Sequence, residues 1–141
     1  MKKYVALLAL VFFLGLGWAA AQETWKPQTS CPVSGKPINK EVFLDFQGQR
    51  IYFCCPSCPA EFQKDPEEYF AKFEKEHIEL ENIQTSCPVS GEELGENPVV
   101  IHFKGRTVKF CCPSCEKPFR ANPEKYLAAL PGGEAKQSSR S

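Results

Sequence analysis

Eight cysteines set out as two copies of one four-cysteine pattern constrain this chain more than any other feature. Cys31, Cys54, Cys55 and Cys58 form the first set, and Cys87, Cys111, Cys112 and Cys115 the second. Gln28-Thr29-Ser30-Cys31-Pro32-Val33-Ser34-Gly35 recurs letter for letter as Gln84-Thr85-Ser86-Cys87-Pro88-Val89-Ser90-Gly91. Phe53-Cys54-Cys55-Pro56-Ser57-Cys58 recurs as Phe110-Cys111-Cys112-Pro113-Ser114-Cys115. The second copy is one residue longer between its blocks, an insertion that belongs in a turn. Identical blocks in the same order mark an internal duplication, so the 141 residues read as two very small modules rather than one ordinary domain.

Between the blocks, Glu41–Phe46 and Arg50–Phe53 are β-prone runs joined across Gln47-Gly48-Gln49, and Val99–Phe103 and Thr107–Phe110 repeat the pattern around Lys104-Gly105. Both predict hairpins. After the cysteines, Asp65-Pro66-Glu67-Glu68 and Asn122-Pro123-Glu124-Lys125 each supply a capping residue, a proline for the first helical position and an acid for the first turn. Tyr69 with Phe73, and Tyr126 with Leu130, then share one helix face that should pack on the hairpin. The reading is an α+β chain of two tandem hairpin-plus-helix modules, at residues 28–73 and 84–130. Residues 74–83 are expected to continue the first helix as a charged, solvated linker, and residues 131–141 to form a disordered tail.

Residues 1–21 begin with Met1-Lys2-Lys3, run through an apolar stretch and end in Ala19-Ala20-Ala21, the parts of a secretory signal peptide. A periplasmic or secreted protein is therefore expected, with no membrane attachment after cleavage. Basic and acidic side chains number 17 each, so no basic field exists to attract nucleic acid. The 11 phenylalanines mean that the modules bury apolar surface.

A module this small needs a staple, either a metal or disulfides. Cys55-Pro56-Ser57-Cys58 places two thiols at a proline-containing turn between strand and helix, a knuckle that aims both sulfurs at one centre, and Cys54 with Cys58 is an alternative pair in the same turn. Cys31 arrives from the loop before the hairpin. Four sulfurs per module also satisfy two disulfides, which an oxidising compartment favours. A third reading is a thiol-disulfide oxidoreductase, since a Cys-x-x-Cys ahead of a helix lowers a thiol pKa, but no βαβ pattern encloses it. All-sulfur ligation suits zinc or copper(I), and the only methionine is Met1. One ion per module is expected. His77 and His102 have no counterparts in the other copy and read as surface residues. Nothing pairs a nucleophile with a base, so no catalytic residue is expected and the chain is not read as an enzyme.

The two repeats resemble the TRASH and YHS family of small metal-binding modules, over roughly residues 30–73 and 86–130. The resemblance rests on the Cys-Pro-Val-Ser-Gly starts, the aromatic-Cys-Cys-Pro-Ser-Cys blocks, and the closing Asp65–Tyr69 and Asn122–Tyr126 segments. It implies a treble-clef-type zinc module and a role in heavy-metal sensing, trafficking or resistance. The one-Cys-then-Cys-x3-Cys pattern of the TRASH module falls on Cys31, Cys54 and Cys58, and on Cys87, Cys111 and Cys115. This chain departs from it in a longer gap between Cys87 and Cys111, and in Cys55 and Cys112, where many relatives carry Ser.

Overall fold

The computed structural model describes residues 23–133; the expected signal peptide at 1–21 and the tail beyond residue 133 lie outside them. The fold is α+β, as the sequence implies. In the first repeat β1 (Lys26–Pro27) precedes the hairpin of β2 (Asn39–Phe46) and β3 (Gln49–Phe53), then come α1 (Cys58–Phe62) and α2 (Pro66–Glu76), followed by β4 (Ile78–Glu79) and β5 (Glu81–Asn82). The second repeat comprises the hairpin of β6 (Val99–Phe103) and β7 (Arg106–Phe110), a 3₁₀ turn at Pro113–Cys115, and helices α3 (Glu116–Ala121) and α4 (Pro123–Ala128).

Both hairpins close as expected. Gln47-Gly48 and Lys104-Gly105 all take positive φ, the backbone that a tight turn needs to match strand twist. Asp65 caps α2 by accepting the Glu68 N–H at 3.3 Å. Asn122 stands at the equivalent position of α4 without a side-chain capping bond.

One helix per module was expected, and each module has two. The extra helices, α1 and α3, follow directly on Cys58 and Cys115 and drive Phe62 and Phe119 fully into the core. Phe62 packs against Phe46, Phe53 and Phe70 with ring centroids 5.7–5.8 Å apart, and Phe119 against Phe103 and Phe110 at 5.2 and 5.3 Å. On α2 the buried face carries Phe70 and Phe73, with Tyr69 at its margin. On α4 Leu127 is buried, Leu130 lies just beyond its end, and Tyr126 packs at the margin.

The expected helical linker is not formed. The helix stops at Glu76, His77 turns left-handed at φ 52°, and the chain runs extended. Ile78-Glu79 pairs in parallel with Lys26-Pro27, Glu81-Asn82 pairs with Arg50 and Gln49 of β3, and Leu80 is buried between. Apolar and acidic residues alternate here with the period of a strand, and burying Leu80 outweighs the helical preference of the glutamates. The tail expectation also needs correction at its start: Pro131 accepts the Gly48 N–H at 2.8 Å, and Gly132 lies against the Asp45 carbonyl.

The two repeats dock through their hairpin tips. Gln49 uses its side-chain amide as a strand would, donating to the Thr107 carbonyl at 2.8 Å and accepting the Thr107 N–H at 3.3 Å. Arg106, 1% exposed, donates to Gln47 Oε1 at 2.6 Å, to the Lys104 carbonyl at 3.0 Å and to Glu67 Oε1 at 2.7 Å. A polar layer thus joins two separate apolar clusters. Each repeat also contains a glutamine that acts as an extra rung of sheet. Gln28 bonds both backbone groups of Tyr52, at 3.0 and 2.8 Å, and Gln84 does the same for Lys109, at 2.9 and 3.2 Å.

Candidate metal centre

Each sulfur cluster is assembled from three places in its repeat. Cys31 heads a tight loop in which its N–H donates to the Lys36 carbonyl at 2.7 Å and its carbonyl accepts the Gly35 N–H at 2.8 Å. Cys87 does the same with Glu92 and Gly91, at 2.8 and 2.9 Å. Cys54 and Cys111 leave the ends of β3 and β7. Cys58 and Cys115 stand where the chain turns into α1 and α3, and their N–H groups bond back to the carbonyls of Cys55 and Cys112.

The outcome is two triads, Cys31 with Cys54 and Cys58, and Cys87 with Cys111 and Cys115, in each of which all three sulfurs lie within 4.8 Å of one another. The first and third members are buried and the middle one half-buried. All eight cysteines are free thiols. The Cys54 and Cys58 sulfurs are 3.7 Å apart, and those of Cys111 and Cys115 are 3.8 Å apart. Ligands on bonds of about 2.3 Å at tetrahedral angles stand roughly 3.7–3.8 Å apart, so these pairs have the spacing of co-ligands before any rearrangement.

Cys55 and Cys112 do not join the triads. Each lies closest to the third ligand of its set, Cys55 at 3.2 Å from the Cys58 sulfur and Cys112 at 3.3 Å from that of Cys115, and Cys112 is also 3.8 Å from the Cys111 sulfur. Neither histidine contributes. Trp25 stacks on the His102 ring at 3.9 Å between centroids and meets the His77 ring edge-on at 5.4 Å.

The protonation pattern is uneven. Burial opposes ionisation of Cys31, but the N–H and hydroxyl of Ser34 with the amides of Cys54 and Val33 outweigh it and hold that thiol at about 7. Cys87 is held at about 6 against burial, by Ser90, Cys111 and Val89. Cys58 and Cys115 shift upward, because the neighbouring Cys55 and Cys112 sulfurs favour the protonated form and burial adds to the effect. The Ser57 and Ser114 hydroxyls draw Cys55 down to about 6 and Cys112 to about 7. Each triad therefore combines a first thiol drawn toward the thiolate with a third held in the protonated form, and its all-sulfur donor set is suited to a soft ion.

No family model, curated protein sequence or solved structure matches this chain.

Among features that sequence reasoning did not single out, Ser34 and Ser90 are the most direct. Their hydroxyls lie 3.1 and 3.2 Å from the Cys54 and Cys111 sulfurs. Their place inside the repeated Cys-Pro-Val-Ser-Gly block is the signal that marks them.

Proposed function

We propose that the chain is an exported metal-binding protein that holds one thiophilic ion, zinc or copper(I), in each sulfur triad, and that it serves metal trafficking or resistance rather than catalysis. The observation that carries this reading is the convergence of three sulfurs from separate elements, in both repeats, to within 4.8 Å of one another, two of them at co-ligand spacing. The resemblance to TRASH and YHS modules supports it, since that pattern falls on the same six cysteines. The apolar stretch before Ala19-Ala20-Ala21 supports export to the periplasm or the outside of the cell.

The test is titration of the reduced protein with zinc and with copper(I), read as ions bound per chain. Two ions per wild-type chain are expected, one after Cys54→Ser, and none after Cys54→Ser with Cys111→Ser. Reduced wild-type protein that takes up neither ion defeats the proposal.

A further inference from the structure

Each repeat contains one thiol more than its triad uses. Cys55 lies 3.2 Å from the Cys58 sulfur and 3.2 Å from the Ser57 hydroxyl, and Cys112 lies 3.3 Å from Cys115 and 3.0 Å from Ser114. Two sulfurs sharing one ion at about 2.3 Å stand roughly 3.7 Å apart or more, because the angle between their bonds is tetrahedral or wider. These pairs are too close to be co-ligands. They are, however, only about 1.2 Å beyond the length of a disulfide bond, near 2.05 Å.

The surrounding backbone favours that bond. The Cys58 N–H donates to the Cys55 carbonyl at 3.2 Å, and Cys115 bonds to Cys112 at 3.3 Å, so one closed turn holds each pair together. Exposure divides the work. Cys55 and Cys112 are half-buried and open to an incoming reagent, while Cys58 and Cys115 are 5% and 7% exposed. That is the arrangement of an attacking thiol backed by a resolving one.

We propose that Cys55–Cys58 and Cys112–Cys115 are redox-active dithiols whose oxidation by a disulfide reagent expels the ion held by each triad. The proposal rests on the metal-binding reading above. Cys55 gives up its proton, and its thiolate attacks the disulfide of the oxidant, forming a mixed disulfide and releasing one thiolate. Cys58 then leaves the ion and attacks the Cys55 sulfur, forming the Cys55–Cys58 bond and releasing the second thiolate. Two electrons pass from the cysteine pair to the oxidant, which becomes two thiolates. The ion is left with two of its three sulfurs and departs. Because Cys58 cannot serve both bonds, ion binding and disulfide formation oppose each other, and each ion bound protects its dithiol in equal measure.

The experiment uses cadmium(II), a soft ion that does not change oxidation state. Wild-type protein and the Cys55→Ser/Cys112→Ser variant are loaded, their metal-to-protein ratios measured, and glutathione disulfide added without oxygen. Cadmium release is followed with a chelating dye and the bridges are mapped by peptide mass spectrometry. Equal loading is expected, followed by release from wild type together with Cys55–Cys58 and Cys112–Cys115 bridges. Release from the variant should be slower by about tenfold or more. Release at equal rates, retention of cadmium by oxidised wild type, or bridges between other pairs would overturn the proposal. A variant that no longer loads would make Cys55 and Cys112 ligands and overturn it as well. Failure of both proteins to load defeats the metal-binding reading itself, and the loading ratio shows this before any oxidant is added.

Discussion

The guanidinium carbon of Arg106 lies 3.6 Å from the centroid of the Phe70 ring, and through this contact the hairpin tip of the second repeat is seated on the long helix of the first. Phe70 is fully buried in the first core, so the cation stacks on a ring that cannot move away. The planar fork of the same side chain supplies donors to Gln47, the Lys104 carbonyl and Glu67. Cation–π attraction in a desolvated site adds to these bonds.

Arg106→Met keeps most of the stem packing but strips every donor, leaving the Gln47 amide oxygen and the Lys104 carbonyl short of a partner. A loss of about 2–4 kcal/mol is expected from denaturant melts. Arg106→Lys should recover only part of it, because a single ammonium cannot span three acceptors held in one plane. Full stability in Arg106→Lys would show that charge alone seats the two repeats.

The side-chain amides of Gln28 and Gln84 stand in for a neighbouring strand, so their loss should be felt at the one backbone N–H that each accepts from. Gln84→Ala is expected to cost about 1–2 kcal/mol and to raise hydrogen exchange at the Lys109 N–H, whose acceptor is Gln84 Oε1. Gln28→Ala should act in the same way at Tyr52. Unchanged exchange at those two amides would mean that water replaces the glutamines without penalty.

What the sequence disclosed follows from which interactions are local. The duplication, the two hairpins and the cap at Asp65 depend on residues a few positions apart, and each can be read from turn and capping chemistry. The grouping of Cys31 with Cys54 and Cys58 is what the resemblance to the TRASH pattern implies, whereas spacing alone leaves Cys55 with Cys58 and Cys54 with Cys58 as alternatives. The alternation of Ile78 and Leu80 with Glu79 and Glu81 was obscured by a composition that favours helix, and only pairing with β1 and β3 reveals the strands. Tyr69 packs at the core margin beside Phe62, on the same side as the buried Phe73, while Phe70, which the four-residue spacing does not single out, is the fully buried ring of α2. The rung formed by Gln84 and the fork of Arg106 depend on how the repeats dock, which no local pattern encodes.

Gly105 and Gly35 offer a controlled comparison. Both have φ near +73°, at +74° and +73°, so an alanine pays a similar backbone penalty of about 1 kcal/mol at either site. Their surroundings differ. A Cβ on Gly35 meets nothing within 4 Å, whereas one on Gly105 falls 2.0 Å from the Phe70 carbonyl oxygen. Gly35→Ala should therefore lose about 1 kcal/mol in thermal melts, and Gly105→Ala at least about 2 kcal/mol more, because the tip must retreat from α2. Equal losses would rule out close seating of the tip.

Metal uptake should depend on pH in a way set by the first and third thiols of each triad. Metal binds thiolate, so every protonated ligand must release its proton when the ion arrives. Cys58 and Cys115 are shifted upward and remain protonated at neutral pH, so each ion displaces a proton there and affinity rises with pH. Cys31 and Cys87 are held at about 7 and about 6, so they are ionised at pH 8 and add no proton. As pH falls through those values they become protonated, and a further proton must leave each site. Cadmium titrations across pH 8 to 5, with proton release read from buffers of different ionisation enthalpy, should show the count per ion rising by about one. The apparent affinity should then fall more steeply below pH 6 than above pH 7, by about a further tenfold per pH unit. A proton count that stays flat across this range would mean that Cys31 and Cys87 are not ligands held in the thiolate form.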